Sequence, residues 1–203
     1  MAINLTKGQR VDIGLQKIGV GLGWDPNPNA SSDDYDLDAS AFMLGADGQV
    51  PTEQFFVFYR SSCRNPRGSQ YPEGKACSPD SAVESSGDDR TGGNSEGDDE
   101  ILTVDLGRLD PRIESIIFTV TIDEFEERNQ NFGQVRNSFI RIYDATTNVE
   151  ICKYELGEDF SIETAIDFGR LYKRGGTWRF EAMGVGHKGG LATFVSKYAR
   201  KFS

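Results

Sequence analysis

The chain has 203 residues, 37% of them hydrophobic and 27% charged, with a net charge of −10. This length and balance fit one ordinary soluble domain with a real core. The acidic excess, with a pI near 4.7, excludes nucleic acid as a partner, because phosphate backbones need clustered Lys and Arg, and favours cations or basic surfaces.

The stretch Met1 to Arg10 has no long apolar run, so it does not read as a signal peptide. No run of about 18 apolar residues marks a membrane span. Three cysteines, an odd number in a chain with no export signal, fit a reducing cytoplasm and free thiols. One domain is expected over residues 1–203, with an elaborated surface loop at 60–80.

Taken in order, Ala2 to Thr6 and Arg10 to Leu15 read as short strands around a Lys7-Gly8 turn. Lys17 to Trp24 reads as a third, dotted with Gly19, Gly21 and Gly23. Glycine inside a strand marks a bulge or a close backbone approach. Asp25 to Asp34 is a loop on composition. Tyr35 to Leu44 alternates: Leu37, Ala39, Ala41 and Met43 share one face, and Asp36, Asp38, Ser40, Phe42 and Leu44 the other. Asp36 and Asp38 thus point the same way from one strand end. Like charges so placed are destabilising without a counter-ion. The pair reads as half of a metal site or as a polar strand end facing water. It is not an EF-hand loop, because Ala41 stands where that loop needs glycine and the segment runs on as an apolar strand.

Gly45 to Gly48 is a hairpin turn, and Gln54 to Tyr59 reads as a buried aromatic strand. Arg60 to Asp80, rich in Ser, Pro, Gly and Arg, reads as an exposed loop carrying Cys63 and Cys77. Thirteen residues lie between these cysteines and no histidine is near, unlike a compact zinc knuckle. An oxidised sample would let them close a disulfide; free thiols are the expectation.

The stretch Gly87 to Glu100 is the most charged part of the chain. Asp88, Asp89, Glu96, Asp98, Asp99 and Glu100 are opposed only by Arg90, so it carries half of the chain's net charge. Such anions repel unless the segment is extended and wet or a cation sits among them. Gly92, Gly93 and Gly97 allow the reversals that bring several oxygens together. Calcium takes six to eight oxygens, so a converging loop suits it; a solvated acidic loop is the other reading. Ile101 to Leu106 alternates, with Leu102, Val104 and Leu106 on one face, so a core strand anchors one end of the loop.

Ser115 to Ile122 is the clearest core strand, with Ile116, Phe118, Val120 and Ile122 on one face. Asp123 to Asn129 suggests a short helical turn whose acids face solvent. Asn131 to Gln134 is a turn, and Ser138 to Tyr143 and Val149 to Leu156 form a hairpin with Cys152 as a buried inert thiol. Thr164 to Arg174 fits a helix or a strand; Gly175-Gly176 followed by alternating Trp178, Phe180 and Ala182 favours a hairpin. Gly184 to Gly189 matches the dinucleotide fingerprint, but no second parallel strand or ribose-binding acid follows, so it reads as a glycine-rich connection. His187, the only histidine, has no Ser, Cys or second ligand near it in sequence. Leu191, Phe194, Val195, Tyr198 and Phe202 recur at helical spacing, giving an amphipathic C-terminal helix that covers a sheet, with membrane-surface binding as the other reading.

The segments Gly21-Leu22-Gly23-Trp24-Asp25, Asp36-Leu37-Asp38-Ala39-Ser40, Gly87-Asp88, Gly97-Asp98-Asp99-Glu100, Val120-Thr121-Ile122, Asn129-Gln130-Asn131-Phe132-Gly133, Glu163-Thr164-Ala165 and Gly189-Gly190-Leu191 follow one another along nearly the whole chain. Together and in this order they resemble the tellurium-resistance TerD family of bacterial stress proteins. Asp89 stands where the family has Asn, and the loop around Gly93-Asn94-Ser95 is about one residue longer. The resemblance implies a mainly all-β chain: a two-sheet β-sandwich with short helices that binds two calcium ions. The implied ligands are Asp25, Asp36, Leu37, Asp38, Asp88, Asp89, Asn94, Glu96, Asp98, Asp99 and Glu100.

Three functions follow as expectations. The first is a non-catalytic calcium-binding module, in which the ion orders the acidic loop against the Asp-x-Asp strand and presents a surface to a protein partner. That partner belongs to a stress-response assembly, membrane-associated or free, with no direct membrane insertion of this chain. The second is a metal-dependent hydrolase using the same acids. The third is calcium-dependent recognition of a sugar or nucleotide.

Overall fold

Alternation of apolar and polar residues makes strand the main regular structure of this chain. The structure, a computed structural model, describes residues 3–29, 33–65, 74–94, 97–156 and 160–202. In chain order its strands are β1 (Ile3–Asn4), β2 (Arg10–Ile13), β3 (Lys17–Gly23), β4 (Leu37–Leu44), β5 (Phe56–Val57), β6 (Arg64–Asn65), β7 (Lys75–Ala76), β8 (Val83–Ser85), β9 (Glu100–Asp105), β10 (Ser115–Ile122), β11 (Phe139–Asp144), β12 (Glu150–Glu155), β13 (Ala165–Arg174) and β14 (Thr177–His187). The α-helices are α1 (Phe125–Arg128) and α2 (Leu191–Tyr198). No helix among the described residues is long and apolar enough to cross a membrane.

Two six-stranded sheets form a sandwich. One runs β1-β12-β11-β3-β9-β8 and the other β2-β14-β13-β10-β4-β5, while β6 and β7 pair by themselves. The core holds Ile18, Val20 and Leu22 of β3 and Leu102 and Val104 of β9, together with Leu37, Ala41 and Met43 of β4 and Ile116, Phe118 and Val120 of β10. The expected alternation of β4 holds, yet every residue of this strand is buried. Its second face is covered by α2: the Phe42 ring stacks on Phe56 at 4.3 Å and lies 5.4 Å from Tyr198. The C-terminal helix is thus amphipathic as expected, with Phe194 and Tyr198 buried. It ends at Tyr198, and Phe202 lies beyond it, 44% exposed.

Three expectations need correction. The aromatic strand at 54–59 shrinks to Phe56–Val57, preceded by a 3-10 turn at Glu53–Phe55. The Ser61 hydroxyl takes the Phe58 N–H and bonds back to the Phe56 carbonyl, which turns the chain out of the sheet. The loop after Arg60 contains the β6–β7 pair, and Cys77 in it is buried. The segment after Thr164 is strand, as the favoured hairpin requires, and pairs with β10 and β14. The glycines near His187 belong mostly to β14 itself, leaving a short connection to α2.

The glycines of β3 mark close approaches. A side chain on Gly19 would overlap the Tyr143 ring, and one on Gly21 the Asp98 carboxylate. Gly14, by contrast, has open space around its Cα. Urea unfolding of Gly21→Ala is therefore expected to show a loss of about 1–3 kcal/mol from overpacking, against about 0.5 kcal/mol or less for Gly14→Ala. Equal effects would contradict this packing.

Candidate metal centre

Period-two alternation places Asp36 just before β4 and Asp38 within it, both toward one side. The acidic loop brings Asp88 to meet them. One oxygen from each of Asp36, Asp38 and Asp88 lies within 4.8 Å of the others. Asp36 and Asp38 are buried and Asp88 is exposed. Two unit charges at that separation repel by roughly 3 kcal/mol at an effective dielectric constant of about 20.

Glu100 holds the loop against the strand. At Ala39 the edge of β4 lies beyond the reach of β5, which pairs only with Ala41 and Phe42. Glu100 Oε2 accepts the Ala39 N–H at 2.7 Å, and Oε1 accepts the Asp89 N–H at 3.3 Å. A buried carboxylate on β9 thus joins the neighbouring sheet to the acidic loop.

The counter-charge within the protein is incomplete. Asp36 Oδ2 meets Arg90 Nε at 3.3 Å and Arg128 Nη1 at 3.9 Å. Asp36 Oδ1 and Asp38 Oδ1 are buried with no hydrogen-bond partner among the described residues. Burial, then Asp36, Asp88 and Asp123 in turn, push the Asp38 carboxyl up to about 8. Burial also raises Asp36 and Asp88, and raises Glu100 well above the usual carboxylate range. Buried acceptors with no donor are costly, and a cation removes that cost. The donor set is all oxygen, which suits a hard ion such as calcium or magnesium.

The other expected ligands lie elsewhere. Asp99 accepts the Trp24 N–H at 2.8 Å and the Asn94 N–H at 2.7 Å. Asp25 accepts from Asn137 at 2.7 Å. Asp25, Asn94 and Asp99 border a separate cleft of about 450 Å³. Asp98 turns inward, where Arg141 grips both its oxygens at 2.7 and 2.9 Å. Asp89 Oδ1 caps its own loop through the N–H groups of Thr91 and Gly92. The side chain of Leu37 is fully buried in the core, so only its backbone faces polar chemistry. Glu96 lies outside the described residues.

Sequence reasoning missed Asp123, assigned there to a solvated turn. Its charge acts on Asp36, Asp38 and Asp88, and its N–H donates to the Asp36 carbonyl at 2.8 Å. It also missed Arg128, 13% exposed at its side chain and bonded to Glu124 as well. The available signal was their position directly after β10, which lies beside β4.

Comparison with known proteins agrees with this architecture. Residues 1–198 match the model of the TerD domain. General stress protein 16U of Bacillus subtilis (strain 168) is 44% identical over 203 residues, covering 98% of this chain and 97% of that protein. Tellurium resistance protein TerD of Serratia marcescens is 38% identical over 203 residues, covering 98% of this chain and 97% of that protein. A crystal structure of a homologue of telluride resistance protein (TerD) from Streptomyces coelicolor A3(2) superposes with a TM-score of 0.67 at 24% identity, covering 89% of this chain and 95% of that one. The chain belongs to the TerD family.

Proposed function

We propose that this chain is a non-catalytic calcium-binding module of a stress-response assembly. The observation that carries the reading is the pair of buried, partnerless oxygens on Asp36 and Asp38, with the Asp88 carboxylate within reach. The ion would bridge β4 to the acidic loop, neutralise the crowded carboxylates and fix the loop as a surface for a protein partner. Asp25, Asn94 and Asp99 would offer oxygens to a second ion at their own cleft. The names of the relatives, general stress protein and tellurium resistance protein, support the physiological setting. The single histidine, His187, is engaged by Asp167 at 2.9 Å and is not among the clustered carboxylates, which favours binding over hydrolysis.

One observation favours a second reading, calcium-dependent recognition of a small ligand. A cleft of about 550 Å³ opens beside Asp38, walled by Tyr59, Arg60, Phe125 and the start of α2. A ligand that binds only in the presence of calcium would establish it.

Two measurements test the proposal. Calorimetric titration with calcium is expected to give saturable heat. At about a hundred times Kd the gain of about 2.7 kcal/mol raises Tm by about 5–10 °C for a chain of this size. Asp38→Asn should lose most of this response, while its calcium-free Tm at pH 8.5, where Asp38 is mostly ionised, stays equal or rises because one repelling charge is gone. Absence of heat up to millimolar calcium would contradict the proposal.

The second is the pH dependence of the calcium-free protein. The folded-state pKa of Asp38 is about 8, above its unfolded value. The folded state therefore holds the proton longer, and the associated stability is full below the unfolded pKa and lost as pH rises through 8. Asp36, Asp88 and Glu100 shift the same way. With chelator present, Tm should fall from pH 5 to pH 8.5, and the calcium-induced gain should grow over that range. A calcium gain that shrinks as pH rises would contradict the site.

A further inference from the structure

Outside the acidic site, two thiols face each other in the small β6–β7 pair. Arg64 pairs with Ala76 and Asn65 with Lys75. One residue before Arg64 and one after Ala76, Cys63 stands opposite Cys77, and the Cys77 N–H donates to the Cys63 carbonyl at 3.0 Å. Their sulfurs are 3.6 Å apart. A disulfide needs a separation of about 2.05 Å, so the bond forms through a small approach of side chains already opposed.

The surroundings divide the labour between the two thiols. Cys77 is 1% exposed and forms a bridge with Glu84 next to β8. Asn65 also bonds Glu84, at 2.5 Å, so both chain segments are tied to one frame. Burial, then the bond with Cys63, pushes the Cys77 thiol up to about 12. Cys63 is only half-buried, so an oxidant reaches it first. Cys152 is buried in the β12 strand of a main sheet, and burial raises its thiol to about 12 as well. It serves as the inert internal reference.

We propose that Cys63 and Cys77 form a thiol–disulfide site that hydroperoxides oxidise and small dithiols reduce. The Cys63 thiolate attacks the distal peroxide oxygen: an S–O bond forms, the O–O bond breaks, and the departing alkoxide or hydroxide takes up the proton that Cys63 released. The Cys77 sulfur then attacks the Cys63 sulfenic sulfur: an S–S bond forms, the S–O bond breaks, and the hydroxide leaves as water with the Cys77 proton. The sum converts two thiols and one hydroperoxide into a disulfide, an alcohol or water, and one water. The product links Cys63 covalently to Cys77, which bridges Glu84 of β8, the strand that leads toward Asp88. This site stands on its own geometry and does not depend on cation binding.

The test treats the reduced full-length chain with hydrogen peroxide and reads intact mass and peptide linkage. The expected product is about 2 Da lighter, with a Cys63–Cys77 cross-link, Cys152 still open to alkylation after unfolding, and full reversal by dithiothreitol. In Cys77→Ser, Cys63 should gain about 16 Da and be trapped by a sulfenic-acid probe. A wild-type product about 32 Da heavier with no lighter species, or a link only between separate chains, would overturn the proposal. The wild-type mass reading stands whether or not the variant folds.

Discussion

Two carboxylate oxygens shut away from water, with no donor among the described residues to meet them, set the character of this molecule. Asp36 and Asp38 occupy the start of a strand buried on both faces, so neither can turn out to solvent without disturbing β4. The backbone around them is already committed. Ala39 gives its N–H to Glu100, and Asp123 gives its N–H to Asp36. The protein supplies guanidinium groups to one side of Asp36 but leaves the other oxygen, and one on Asp38, open. The structure therefore holds a concentrated negative charge at a fixed place, which a rigid strand and a glycine-bent loop frame together.

A second buried carboxylate in the same sheet shows what satisfaction looks like. Asp167 is completely buried, yet Tyr198 donates to one oxygen at 2.9 Å and Lys197 to the other at 2.6 Å, with His187 at 2.9 Å beside it. Those partners come from α2 and β14, and the arrangement ties the C-terminal helix to the sheet. A shift of the β13 register between Asp167 and Gly169 accompanies it, with Phe168 packed 5.8 Å from Phe118. Burial alone does not make a cation site. The difference lies in donors: three converge on Asp167, and none reaches the open oxygens of the Asp36 pair.

The fold was largely legible because its strands obey simple alternation. The core strands at 37–44 and 115–122, the hairpin over Gly175-Gly176 and the amphipathic helix all follow from spacing. The Asp36/Asp38 pair was legible for the same reason. Even Glu100 was within reach, since it shares parity with Leu102 and Val104 and so faces the core. What composition could not do was sort the acids of the loop. Asp88 and Asp98 look alike in sequence, but Arg141, 43 residues away, claims Asp98. Asp123 had only its place directly after β10 to mark it, and Asp167 carried no local signal, because its partners come from β14 and α2, distant along the chain. The Phe56 strand was read too long because its ring stack continues through Phe58 after the backbone has left the sheet.

The central claim is that the Asp36 pair and Asp88 share one divalent ion. Calcium titration followed by amide NMR tests it most directly. The account predicts saturable shifts that begin at Asp36, Leu37 and Asp38 and at Gly87 and Asp88 together, with sharpened signals through the acidic loop. Shifts confined to one of these two segments, or none at saturating calcium, would contradict it.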